Sequence, residues 1–209
     1  DLCLSNIDKD FNSILLYCYD RNYTQYNPII NNWKETYPIL HIVNYEPIRK
    51  SSNIIYHKNM DQMKYEQLFN KCGIHLCLQE YDSFPHNINQ CSLVKSIPIF
   101  INGSPMNEII NSDNVFNFNG KKKKLNNNIG NKTTLIIDNL HEVINNISKL
   151  KEETLENMGN RCRNDALRNH AINDDLFKSN MKTILKYVRS SKKKIQKELD
   201  EYPSISLIT

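Results

Sequence analysis

The feature that most constrains this chain is a regular alternation. Short apolar runs at residues 14–17, 39–43, 53–56, 74–77 and 97–101 alternate with stretches of helical spacing. Runs this short and this continuously apolar suit strands covered on both faces. The segments between them carry helix signals. Over 28–36, Ile29, Ile30 and Trp33 fall at helical spacing. Asp61 stands where an N-cap belongs before 61–70, and Met60, Tyr65, Leu68 and Phe69 supply that segment's apolar contacts. A β-α-β-α order needs crossover connections, and these produce a parallel sheet with helices on both sides. The predicted class is therefore α/β, a Rossmann-like parallel sheet flanked by helices.

Further along, 86–95 reads as a helix, and Ser104 can cap a short one with Pro105 at its first position. The polar stretch 111–131 reads as a long surface loop, and 134–137 as a last strand. Helices follow at 138–150, 152–168 and 173–189. The last of these is expected to pack on the sheet through Leu176, Phe177, Ile184, Leu185 and Val188, with part of its apolar face left exposed. The length of 209 residues suits one α/β domain. Residues 1–12 are assigned to a linker or truncated segment, 13–190 to the domain, and 191–209 to a charged tail.

Composition removes several function classes. Only five glycines occur and the Gly-rich dinucleotide fingerprint is absent, which disfavours a nicotinamide oxidoreductase. No apolar run approaches the roughly 18 residues of a membrane span. The start, Asp1-Leu2-Cys3-Leu4-Ser5, lacks the basic residues and apolar stretch of a signal peptide. Six cysteines are scattered without a CxxC pair, so no zinc or other metal site is expected. They read as buried free thiols of a reducing compartment, which places the chain in the cytoplasm. The net charge of +4 sits largely in lysines 121–124 and 192–194. These are taken as solvated loop and tail charges, and no nucleic-acid partner is expected.

The chemistry concentrates in Cys72-Gly-Ile-His-Leu-Cys-Leu-Gln-Glu-Tyr-Asp-Ser-Phe-Pro-His-Asn-Ile-Asn-Gln90 and in Ile97-Pro-Ile-Phe-Ile-Asn-Gly-Ser-Pro-Met-Asn-Glu108. This is a strand, a polar loop, a helix, a second strand and a second helix start. The first helix begins where backbone N–H groups are free and the dipole is positive, a place suited to phosphate. Asp82 lies in the loop. His86 and Gln90, four apart, share a helix face. Donors and acceptors would thus converge beyond a sheet edge, as a polyhydroxylated sugar requires. His75, inside a strand, reads as structural.

On Gly73-Ile-His-Leu-Cys, Phe84, His86, Ile88-Asn89 and Pro105-Met-Asn-Glu108, the stretch resembles the donor-binding domain of GT-B glycosyltransferases of group 1 (family 4-like). That family shows Glu-Gly-Phe-Gly after a strand and a second Glu eight positions on. Asp82 stands at the first acidic position and Gln90 at the second, with Ser83 and Pro85 in place of the glycines. The resemblance implies a nucleotide-sugar substrate, no cofactor and no metal. It places Asp82 against the donor sugar and Gln90 against the ribose, with Ser83, Phe84, His86 and Glu108 around them and Arg21 near the phosphates. It also implies an N-terminal acceptor domain, in cis or in trans, that brings the catalytic base; no catalytic residue is assigned to this chain. The acceptor, whether sugar, lipid or protein, is open. The readings are a glycosyltransferase donor domain, a non-catalytic relative kept as a binding or scaffolding module, and an unrelated Rossmann-like nucleotide binder.

Overall fold

The computed structural model describes residues 7–18, 26–78, 86–104, 106–110, 116–124, 131–134 and 136–201. By its internal contacts the chain divides into two compact units, Asp1–Leu167 and Arg168–Thr209.

The first unit begins with β1 (Asp10–Tyr17), α1 (Asn27–Asn31), β2 (Ile39–Val43) and β3 (Ile54–His57). Then come α2 (Gln62–Lys71), β4 (Cys72–Cys77), α3 (His86–Leu93) and β5 (Ile97–Asn102). The expected cap is present: Asp61 Oδ1 accepts the Lys64 N–H at 2.8 Å. A short 3-10 turn (Met106–Glu108) leads to β6 (Phe116–Asn119). These six strands form one sheet in the order β3-β2-β1-β4-β5-β6, and every neighbouring pair is parallel.

The apolar runs are continuous because both sides of the sheet are covered. Ile14 and Leu16 of β1 point into a large core with Trp33, Leu40, Ile42 and Ile74. Leu15 points the other way, into a cluster with Val43, Phe69 and Val94. That alternation is the period of two of a strand. Each such fully buried Ile or Leu contributes about 1.5–3 kcal/mol. Trp33 is buried, and its indole N–H donates to the Pro38 carbonyl at 3.0 Å.

Several expectations need correction. The long loop over 111–131 contains structure: β6 is the sixth strand of the sheet, and β7 (Lys121–Lys124) pairs antiparallel with β8 (Asn131–Thr134) in a separate two-stranded ribbon. The last strand expected at 134–137 is therefore absent from the main sheet. β6 escaped notice because Phe-Asn-Phe-Asn is an edge strand, where every second side chain can be polar. The first helix is shorter than expected, and Arg49 Nη1 donates to the carbonyls of its last residues, Ile30 and Asn31, and of Trp33 just beyond. After α4 (Ile137–Ile147), the two helices expected at 152–168 and 173–189 are one, α5 (Glu152–Glu201). No Gly or Pro lies between them to stop it. Leu176, Phe177, Ile184, Leu185 and Val188, the residues expected to face the sheet, belong to the second unit, and there all five are between 47% and 64% exposed.

Candidate functional site

The strand order decides where a ligand would sit. From β1 the chain moves outward through β2 and β3; from β4 it moves the other way through β5 and β6. The direction of winding reverses between β1 and β4, and in open α/β sheets ligands gather beyond the carboxyl ends of the strands at such a switch point. The strands are in register there, Leu16 beside Leu76. Beyond β1, the Cys18 N–H donates to the Val43 carbonyl at 3.0 Å, and the Asn44 side-chain amide donates to the Cys18 carbonyl at 2.7 Å. Asn44 has a φ of 63°, a left-handed conformation that asparagine tolerates better than most residues. The connections that follow β1 and β4 contain Arg21 and Asp82, Ser83 and Phe84, and these four lie outside the described residues.

His86 opens α3 and is exposed; Gln90, one turn on, is half-buried. The opposite face carries Ile88, Cys91 and Ser92, all buried. His86 and Gln90 thus share a face, as their spacing requires. Glu108 is exposed at the end of the 3-10 turn, and its carboxylate accepts the Ser104 hydroxyl at 2.5 Å. Among the described residues, Ser104 serves that carboxylate and caps no backbone N–H.

Beside Glu108 is a group that sequence reasoning missed. Asn102 and Asn119 end the paired strands β5 and β6 and stand opposite each other. The Asn102 amide donates to Asn119 Oδ1 at 3.1 Å, and the Asn107 amide donates to Asn102 Oδ1 at 3.1 Å. The Asn139 amide donates to the Asn119 carbonyl at 2.6 Å. Asparagine is so common in this chain that these four carried no signal. Their position as the last residues of adjacent strands, or next to them, was the clue available.

No family model matches the sequence, and no curated protein matches it. Solved structures do. The chain is similar to TarM at a TM-score of 0.60 and 7% identity, over 84% of this chain and 35% of that one. A glycosyltransferase from Rickettsia africae ESF-5 matches at 0.56 and 14%, over 79% and 44%. The C-terminal domain of the group 1 glycosyl transferase LpcC from Francisella tularensis matches at 0.50 and 14%, over 78% and 88%. The likeness is one of fold: a six-stranded parallel sheet flanked by helices, Rossmann-like, as in these glycosyltransferases of the GT-B architecture. The chain spans less than half the length of TarM and of the Rickettsia protein, and nearly the whole of the excised LpcC domain.

At the carboxyl edge of the sheet, Tyr17, Val43, Asn44, His57, Gln62 and Tyr65 line part of a depression of about 260 Å³. Tyr17 and Tyr65 meet edge to face, 5.4 Å between centroids. Burial pushes the Tyr65 phenol well up, so it stays neutral and can donate. His57 is held by His41, Nδ1 to Nε2 at 3.0 Å, with the rings stacked. Burial, reinforced by His57, lowers His41 to about 4; burial also lowers His57. The pair is therefore neutral at pH 7, one ring nitrogen donating to the other. His75 is buried with Nε2 donating to the Phe69 carbonyl at 3.1 Å, which accords with a structural role. Cys18, Cys72, Cys77, Cys91 and Cys162 are free and buried, and burial raises the Cys91 thiol well above its ordinary value, with Cys77 and Cys162 beside it. Among the described residues no group of three or more His, Cys, Asp or Glu could hold a metal. No helix among them is long and apolar enough to cross a membrane.

Proposed function

We propose that this chain is the donor-binding half of a glycosyltransferase, taking a nucleotide sugar and presenting it to an acceptor bound by a second domain. The observation that carries the reading is the strand order, which reverses between β1 and β4, the kind of switch point beyond which open α/β sheets bind ligands. α3 starts at that same edge, and its first N–H groups suit the diphosphate. In this reading Asp82 bonds the sugar, Gln90 the ribose and Arg21 a phosphate, while Ser83, Phe84 and His86 line the approach. Glu108 and the asparagines that end β5 and β6 offer further partners for hydroxyls. The chemistry needs no metal or cofactor from this chain. The acceptor domain comes in cis or in trans with the catalytic base. The buried free thiols support a cytoplasmic setting.

Calorimetry with several sugar nucleotides, on the chain supplied with its acceptor domain, tests this. Gln90→Glu should tighten donor binding by about 1 kcal/mol, because a charged acceptor strengthens one or two hydrogen bonds. Asp82→Ala should weaken the sugar nucleotide more than the bare nucleoside diphosphate. One observation favours a second reading. Gln90 is neutral where the resemblance calls for an acid, as in a relative that keeps the fold for binding or scaffolding. Absence of donor binding at millimolar concentration would leave that reading in place.

A further inference from the structure

The second unit carries a feature that the transferase reading does not use. Phe177, Met181, Ile184, Val188 and Ile195 are spaced 4, 3, 4 and 7 residues apart on α5, and all five are exposed. At 100° per residue they fall within an arc of about 60°. Leu185 and Tyr187 widen the stripe on its two sides. From Lys178 to Lys197 the helix contains seven lysines and one arginine and no acidic residue. Lys178, Lys182, Lys186, Arg189, Lys193 and Lys197 form a second stripe, while Lys192 and Lys194 flank the apolar one. Lys178 is tied to Asp174 at 3.0 Å, just before the basic run.

Three occupants could cover such a face, and charge and shape choose between them. A second copy of the helix would use the apolar stripe as a seam, but Lys192 and Lys194 would then border it on both helices, with no acid in the run to answer them. A nucleic acid would answer the lysines but leave the large apolar side chains in water. An anionic lipid surface satisfies both. The apolar side chains enter the boundary of the acyl chains, and the flanking lysines extend their heads to the phosphates. The stretch from Phe177 to Lys197 is about 30 Å long, and it is too charged to span the bilayer. We propose that this segment of α5 is an interfacial helix that lies on anionic membranes. The inference does not depend on donor binding.

Flotation of the full chain with vesicles tests it. Phosphatidylcholine vesicles containing phosphatidylserine should carry the protein, and pure phosphatidylcholine vesicles should not. Binding should fall as salt rises. Replacing Lys192, Lys193 and Lys194 with Gln should weaken partitioning on the order of a hundredfold. Ile184→Gln with Val188→Gln should weaken it as well, and these exposed positions leave the fold intact by circular dichroism. As an independent reading, emission from Phe177→Trp should shift to the blue on anionic vesicles, relative to the parent protein with its buried Trp33. Equal binding to neutral vesicles overturns the proposal. So does binding that ignores the Ile184/Val188 change, or competition by duplex DNA at equal affinity, which would mark a nucleic-acid surface. No vesicle binding together with a concentration-dependent dimer overturns it in favour of a second copy.

Discussion

Helix α5 carries two apolar stripes, and only the first is covered. In the first unit Leu155, Met158, Cys162 and Ala166 recur every three or four residues, and all are buried. In the second unit Phe177, Met181, Ile184 and Val188 recur at the same period, and all are exposed. Both segments read alike to a periodicity argument. They differ in side-chain size. The covered stripe includes Cys162 and Ala166 and runs beside Gly159, where an added Cβ would stand 2.2 Å from the Lys95 carbonyl oxygen. Backbones this close need small residues. The exposed stripe, Phe177, Met181, Ile184 and Val188, contains no residue smaller than valine and so holds a neighbour at side-chain distance. Periodicity tells which face is apolar; side-chain volume tells what kind of surface can meet it.

The comparison breaks most sharply under truncation. Leu155→Ala should destabilise the protein by about 2–5 kcal/mol, whereas Ile184→Ala should stay within about 0.5 kcal/mol. Urea unfolding followed by Trp33 fluorescence would measure both, and equal effects would end the distinction. Next comes Gly159→Ala. The contact is with a backbone carbonyl that cannot rotate away, so overpacking should cost about 1–3 kcal/mol.

Acid should act on the first unit, which holds the histidines whose protonation burial opposes. His41 is lowered to about 4 and His75 to about 3, from an ordinary 6.5, in both cases chiefly by burial. Above pH 6.5 both states of the protein leave these rings neutral. As pH falls from 6.5 toward 4, the unfolded chain takes up protons that the folded one refuses, and stability drops. Trp33 fluorescence should then report a falling urea midpoint over that window. A midpoint unchanged between pH 7 and 4.5 would contradict the burial of these rings. The smallest expected effect is at Lys95, whose φ of 62° is a left-handed conformation. Lys95→Gly should stabilise by about 0.5–1 kcal/mol, seen as a small rise in melting temperature.

The five strands β1 to β5 were legible because each is a short continuous apolar run, and α2 because its cap and period agree. His86 and Gln90 could be placed on one face from spacing alone. The asparagines at 102, 107, 119 and 139 could not be singled out, because their meaning lies in being adjacent across strand ends, and composition hid them. The depression formed by Tyr17, Asn44, His57 and Tyr65 draws on four separate elements, which no local motif records.

By itself, the sequence determined the α/β class and the parallel sheet, because burial on both faces and crossover connections follow from local pattern. The tertiary structure decided the order of the strands, the place of β6 at the sheet's edge, the pairing of β7 with β8, and which half of α5 is covered. Each of these depends on which distant segment lies alongside, and a residue's own neighbours in the chain do not fix that.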